Sequence, residues 1–233
     1  MKKILIITGC VILAAAIVFT VFFNKIPILI LSKFYGINIS YKSVEKDPLN
    51  GYLFENLKIM NKRLGMGFYS TKASLKLNKT TSLLKSLDID FKFRDVHFIR
   101  SAPEEAASSY DSLNKIVSMP FEGKWTYKDV SGTVEIFSNG LTLKNFAANG
   151  NEIRISVSGD IFYNNTVDTD ITIYFSRDVL KDIPPELSSV IMRDEPKEWK
   201  SFSVKTKGNI SSPALQVSGK LFKLNVGTVT VRD

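Results

Sequence analysis

The 233-residue sequence has a single cysteine, Cys10, and a single histidine, His97. With no second histidine and no thiol beyond residue 10, the usual nitrogen and sulfur ligands of zinc are missing, a histidine-based triad is excluded and no disulfide can form. No glycine-rich phosphate loop, nucleophile elbow or dinucleotide fingerprint occurs. Basic residues outnumber acidic ones by 31 to 23, for a net charge of +8. Yet no Lys/Arg run and no RNA-binding aromatic signature is present, so nucleic acid is not expected as a partner. The carboxylate pairs Asp88/Asp90 and Asp168/Asp170 stand two apart on the polar side of strands, where charges keep a sheet soluble. Glu104-Glu105 sits in a stretch of helical composition and reads as solvent-facing. Glycosidase chemistry would need a cleft around such a pair. The expectation is a protein without catalytic residues, metal or cofactor.

What the sequence does have begins at its N-terminus. Ile4 to Phe23 is 20 residues without a charge, about 30 Å as a helix, which matches the hydrocarbon thickness of a bilayer. A cleavable signal peptide is disfavoured because the apolar run continues well past Ala14-Ala15-Ala16. A lipoprotein signal at Cys10 is disfavoured because too few apolar residues precede it. Residues 1–25 therefore read as a transmembrane signal-anchor. Lys2 and Lys3 place its N-terminus in the cytoplasm and the remainder of the chain across the membrane as an exported domain. Residues 26–36, opened by Pro27 and closed by Gly36, read as a short membrane-proximal helix.

From residue 37 to 233 the helical period disappears. Ile39 and Tyr41, Leu75 and Leu77, then Leu87, Ile89, Phe91 and Phe93 alternate with polar residues, as do Ile155, Ile173 and Phe175 in later runs. Each run is a strand with one dry and one wet side. Asp47-Pro48-Leu49-Asn50-Gly51, Ser138-Asn139-Gly140, Asn149-Gly150-Asn151 and Asn164-Asn165 are hairpin turn chemistry, which predicts an antiparallel meander. Two helical insertions are expected, near 103–117 and 178–195. After Phe93 the apolar set moves to even positions, Val96 and Phe98, so this strand must bulge or bend near Arg94-Asp95. Phe54-Glu-Asn-Leu-Lys-Ile59 and Leu141-Thr-Leu-Lys-Asn-Phe146 echo one another, too loosely to define a repeat.

The apolar segment followed by Leu31-Ser-Lys-Phe-Tyr-Gly-Ile-Asn-Ile-Ser-Tyr-Lys-Ser-Val44, then Gly51 to Ile59, Lys72 to Leu77, Ser82 to Ile89 and Gly208 to Val217, resembles the AsmA-like superfamily of AsmA and TamB. The resemblance implies a mainly β fold: a long curved antiparallel sheet, groove or partly open barrel, whose apolar face holds acyl chains and assists lipid transport between membranes or outer-membrane assembly. Ile39, Tyr41, Leu75, Leu77, Leu87, Ile89, Phe91, Phe93, Ile155, Ile173 and Phe175 would then line a lipid groove. The resemblance implies a single pass through the inner membrane of a bacterium with the β domain in the periplasm, and as partners a phospholipid or other acyl lipid, the inner membrane, and another envelope β protein at the free sheet edge. The alternation is equally compatible with a packed sandwich or closed barrel. It also suits a scaffold or secretion-system component that docks partners by edge pairing without lipid.

Overall fold

The computed structural model describes residues 37–47, 51–61, 65–78, 86–100, 116, 119–181, 183, 185–209, 214–220 and 223–226. The expected anchor, the membrane-proximal helix and most of the first insertion lie outside them. Among the described residues no helix is long and apolar enough to cross a membrane.

The chain is mainly β. Thirteen strands form one antiparallel sheet: β1 (Ile37–Ser40), β2 (Ser43–Asp47), β3 (Gly51–Asn61), β4 (Met66–Asn78), β5 (Ser86–Arg100), β6 (Thr126–Phe137), β7 (Gly140–Gly150), β8 (Ile153–Phe162), β9 (Thr166–Phe175), β10 (Arg193–Glu195), β11 (Trp199–Asn209), β12 (Ala214–Ser218) and β13 (Lys223–Val226). The order is β1-β3-β4-β5-β6-β7-β8-β9-β11-β12-β13, an open meander whose first and last strands are not paired with each other. β1 and β2 lie end to end along β3, and the Lys42 amide continues their ladder by donating to the Glu55 carbonyl at 2.9 Å. β10 and β12 share one edge of β11 in the same way.

Local chemistry explains the turns. Ser138-Asn139 joins β6 to β7. Between β8 and β9, the Asn164 carboxamide oxygen accepts from the Thr166 amide (3.1 Å) and hydroxyl (2.6 Å), while Asn165 takes a left-handed φ of 63°. Helix α1 (Arg177–Leu180) and helix α2 (Pro185–Ile191, opened by a proline suited to a first turn) interrupt the meander between β9 and β10. A 3-10 turn at Met119–Phe121 precedes β6.

The bend expected in β5 is present, and it belongs to a set. Asp95 has φ 50°, with Phe91 and Phe93 buried before it and Val96 and Phe98 buried after it. Asn56 in β3 (φ 52°) separates buried Phe54 from buried Leu57 and Ile59. Asn145 in β7 (φ 52°) separates Leu141 and Leu143 from Ala148. A left-handed residue turns the pleat by half a period, so the apolar side chains change from odd to even or back and still face one way. Asn and Asp tolerate that conformation better than other side chains. The register places Asn56, Thr71 and Asp95 in a line across β3, β4 and β5. Side chains tie this line together: Tyr69 donates its hydroxyl to Asn56 Oδ1 (2.6 Å) and Thr71 donates to Asp95 Oδ2 (2.8 Å).

Candidate functional site

The residues expected to line an apolar face are gathered on one side of the sheet in two groups. Leu75 and Phe91, and Leu77 and Ile89, are cross-strand partners in β4/β5, beside Leu87 and Phe93. Ile155 and Ile173 are partners in β8/β9, next to Phe175. Leu75, Ile89, Phe91, Phe93, Ile155, Ile173 and Phe175 are buried in a single cluster. Ile39, Leu77 and Leu87 are partly buried against it, and Tyr41, at the β1/β2 edge, remains 40% exposed.

The two groups are joined by residues that sequence reading did not single out. Tyr127, Val130 and Val134 of β6 and Leu141, Leu143 and Ala148 of β7 complete the apolar surface between them, and Phe202, Val204 and Val217 extend it through β11 and β12. In β6 the buried set runs Tyr127, Val130, Val134, with register shifts against β7, so period-2 alternation is broken. The burial is close. The Phe91 and Phe93 rings stack at 5.4 Å, Phe91 and Phe146 meet at 6.0 Å, and Phe175 and Phe202 stack at 5.9 Å. Phe91 pairs with Gly132 of β6, whose missing side chain leaves room for the ring. Polar groups on this face are few: Ser70, buried opposite Leu57, donates its hydroxyl to the Arg94 carbonyl at 2.8 Å, and Thr169 and Thr206 are buried cross-strand partners, the Thr206 hydroxyl having no hydrogen-bond partner among the described residues.

The described parts of both chain excursions pack against this face at one end of the sheet. The Met119–Phe121 turn lies against β8, with Ile116 and Met119 buried. Phe121 packs edge-on to Phe98 at 5.3 Å, and the Trp125 indole N–H donates to the Met119 carbonyl at 2.8 Å. Tyr127 is fully buried and donates its hydroxyl to the Pro120 carbonyl at 2.6 Å. Burial raises the Tyr127 pKa far above the usual phenol value, so the group stays protonated. After β9, Val179, Ile183, Ile191 and Met192 are buried in the same cluster.

The opposite face is polar and organised in register rows. One row runs Asp88, Glu135, Thr142, Asp160, Asp168 and Lys207 across β5, β6, β7, β8, β9 and β11. Lys144 lies 2.6 Å from Glu135, and that hydrogen bond lowers the carboxylate pKa and raises that of the ammonium. Lys205 and Lys207 bridge Asp168 at 3.6 and 3.3 Å. His97 is half-buried on the polar side, with Nδ1 3.3 Å from the Thr126 hydroxyl. Among the described residues no group of three His, Cys, Asp or Glu side chains is placed to hold a metal ion. The arrangement offers a buried apolar face and, among the described residues, edges at β1/β2 and β13 that pair with no further strand. Comparison with protein-family models, with curated proteins and with solved structures finds no match.

Proposed function

We propose that the chain is a membrane-anchored, non-catalytic protein of the bacterial envelope that binds acyl lipid on its apolar sheet face, in the manner of AsmA-like proteins. The observation that carries this reading is the unbroken apolar cluster running from β1 to β12 on a sheet whose end strands are not joined. A single sheet that buries one whole face curls around it, and an open one can part along its edges to admit another apolar chain. Burial is worth about 25 cal/mol per Å² whether the covering group is a side chain or an acyl tail. Tyr41 and Val44, about two-fifths exposed at the β1/β2 edge beside buried Phe54, supply a rim where a tail enters.

The test uses the full-length chain in vesicles containing a phospholipid with a photoreactive group on its acyl chain. Crosslinks mapped to β3–β9, and reduced by Tyr41→Glu in a chain that still unfolds cooperatively, are the expected result. Crosslinks confined to residues 1–36 would sink the lipid reading. The open edges at β1/β2 and β13 favour one alternative, a scaffold that adds a partner's strand. Under that alternative, Tyr41→Glu leaves the crosslinking pattern unchanged.

A further inference from the structure

We infer that the sheet stands upright on a membrane surface, resting on the strand ends where β1 begins, with Trp125 and Trp199 marking the plane of contact. This rests on the reading of residues 4–23 as a membrane anchor. Three independent placements point to the same end. Ile37 pairs with Asn61, so the described chain starts at the end of the sheet that also holds the Met119–Phe121 turn and both helices. Thirteen residues separate Phe23 from Ile37, a tether of at most about 46 Å even when fully extended.

The two tryptophans of the chain both lie at that end, Trp125 just before β6 and Trp199 as the first residue of β11. Each carries a cation over its ring: Lys124 Nζ is 4.6 Å from the Trp125 centroid and Arg154 Cζ is 4.0 Å from that of Trp199. Trp125 packs against the apolar cluster, whereas Trp199 lies with exposed Arg154 on the polar face, so the pairs flank the sheet on both sides. A half-wet indole beside a basic side chain suits the headgroup layer, where the ring fits the interface and the cation meets phosphate.

Charge at this end is mixed: Glu122 lies 3.1 Å from Lys124, and Glu198 pairs with Arg177 at 3.1 Å. Arg94 and Arg154 share one register row with Asp129 and Asn149 between them. The row with Asp88, Glu135, Asp160 and Asp168 lies six residues away along β5, about 20 Å toward the opposite end. Upright strands keep that row, though not Glu122 or Asp129, away from the headgroup phosphates.

The competing geometry lays the β1 edge on the membrane. Trp199 on β11 would then lie eight strand spacings from β1 along the sheet, at most about 38 Å above it. The two geometries separate on tryptophan quenching. The full-length protein is reconstituted in phosphatidylcholine vesicles with phosphatidylglycerol and a headgroup-nitroxide lipid, as wild type and as Trp125→Phe and Trp199→Phe. Upright contact predicts at least about twofold quenching in both single-tryptophan variants. Co-flotation with unquenched Trp199 emission overturns the upright geometry and leaves the anchor intact. A chain that does not float with the vesicles overturns the anchor reading and this inference with it.

Discussion

Gly132 faces Phe91 across β5 and β6, and adding one methyl group there has a calculable consequence. An ideal Cβ on Gly132 would sit 2.8 Å from Phe91 Cζ, 3.2 Å from Phe91 Cε1 and 3.0 Å from Phe146 Cα. Carbon atoms prefer about 3.5–4.0 Å, so the ring must move by roughly 0.7 Å or more. It has little room: Phe91 is 4% exposed, stacked on Phe93 and tilted against Phe146, whose backbone is the other obstacle. Overpacking of this kind costs about 1–3 kcal/mol, and the reduced freedom of the unfolded chain returns about 0.4–1 kcal/mol. Gly132→Ala should therefore destabilise by about 1–2 kcal/mol. Phe91→Leu removes the clashing ring atoms, so Gly132→Ala should lose most of its cost in that background, giving a coupling of about 1 kcal/mol. The assay is urea unfolding of the full-length chain in non-ionic detergent, followed by Trp125 and Trp199 emission, with an unchanged slope as the check on two-state behaviour. A neutral Gly132→Ala, or costs that simply add, would refute the packing argument.

Three further outcomes follow from the geometry. Tyr127→Phe should lower stability by about 1–1.5 kcal/mol at neutral pH, by loss of the buried bond to the Pro120 carbonyl. The raised phenol pKa contributes stability that is complete below the unfolded value near 10 and is lost as pH rises above it, so wild type should show a steeper alkaline decline than Tyr127→Phe. Asp95→Val should cost about 2 kcal/mol or more in the same unfolding assay, because a β-branched residue resists φ 50°, whereas Asp95→Asn should stay within about 0.5 kcal/mol. Asp160 and Asp168 are directly opposed across β8 and β9, so Asp160→Asn should gain about 0.2–0.5 kcal/mol at low salt and nothing in concentrated salt. Asparagine keeps the acceptor that Thr142 uses at 2.6 Å.

The strands were legible wherever period-2 alternation held. Ile153, Ile155 and Val157 in β8 and Val167, Ile171, Ile173 and Phe175 in β9 keep one parity and are all buried. The apolar surface on β6 was not legible, because its register shifts break the alternation. One local signal was present and unused. Glu55-Asn56-Leu57, Arg94-Asp95-Val96 and Lys144-Asn145-Phe146 share the order charged, Asx, apolar, and each has its Asx at φ near 50°. Only the second announced itself, because Phe91 and Phe93 before it and Val96 and Phe98 after it make the change of parity conspicuous. The faint echo between residues 54–59 and 141–146 covers the other two, but Asn56 is third in the first segment and Asn145 fifth in the second, so the echo does not align the two reversals. The joining of the β4/β5 and β8/β9 groups into one cluster depends on long-range pairing through β6 and β7, which no local pattern encodes.

The left-handed residues also act as alignment keys. Hairpin turns set register only from the strand ends, and an 11-residue strand such as β3 or a 15-residue strand such as β5 has ample length in which to slide. A slip of one position would require Leu57 or Val96, or the charged neighbours Glu55 or Arg94, to take the reversed conformation opposite Thr71. Each such exchange is penalised by about 1–2 kcal/mol before any packing is lost. It would also separate the hydroxyls of Tyr69 and Thr71 from their Asx acceptors. A sheet with two open edges thus carries in its interior, rather than at its turns, the means of rejecting misaligned pairings as it assembles.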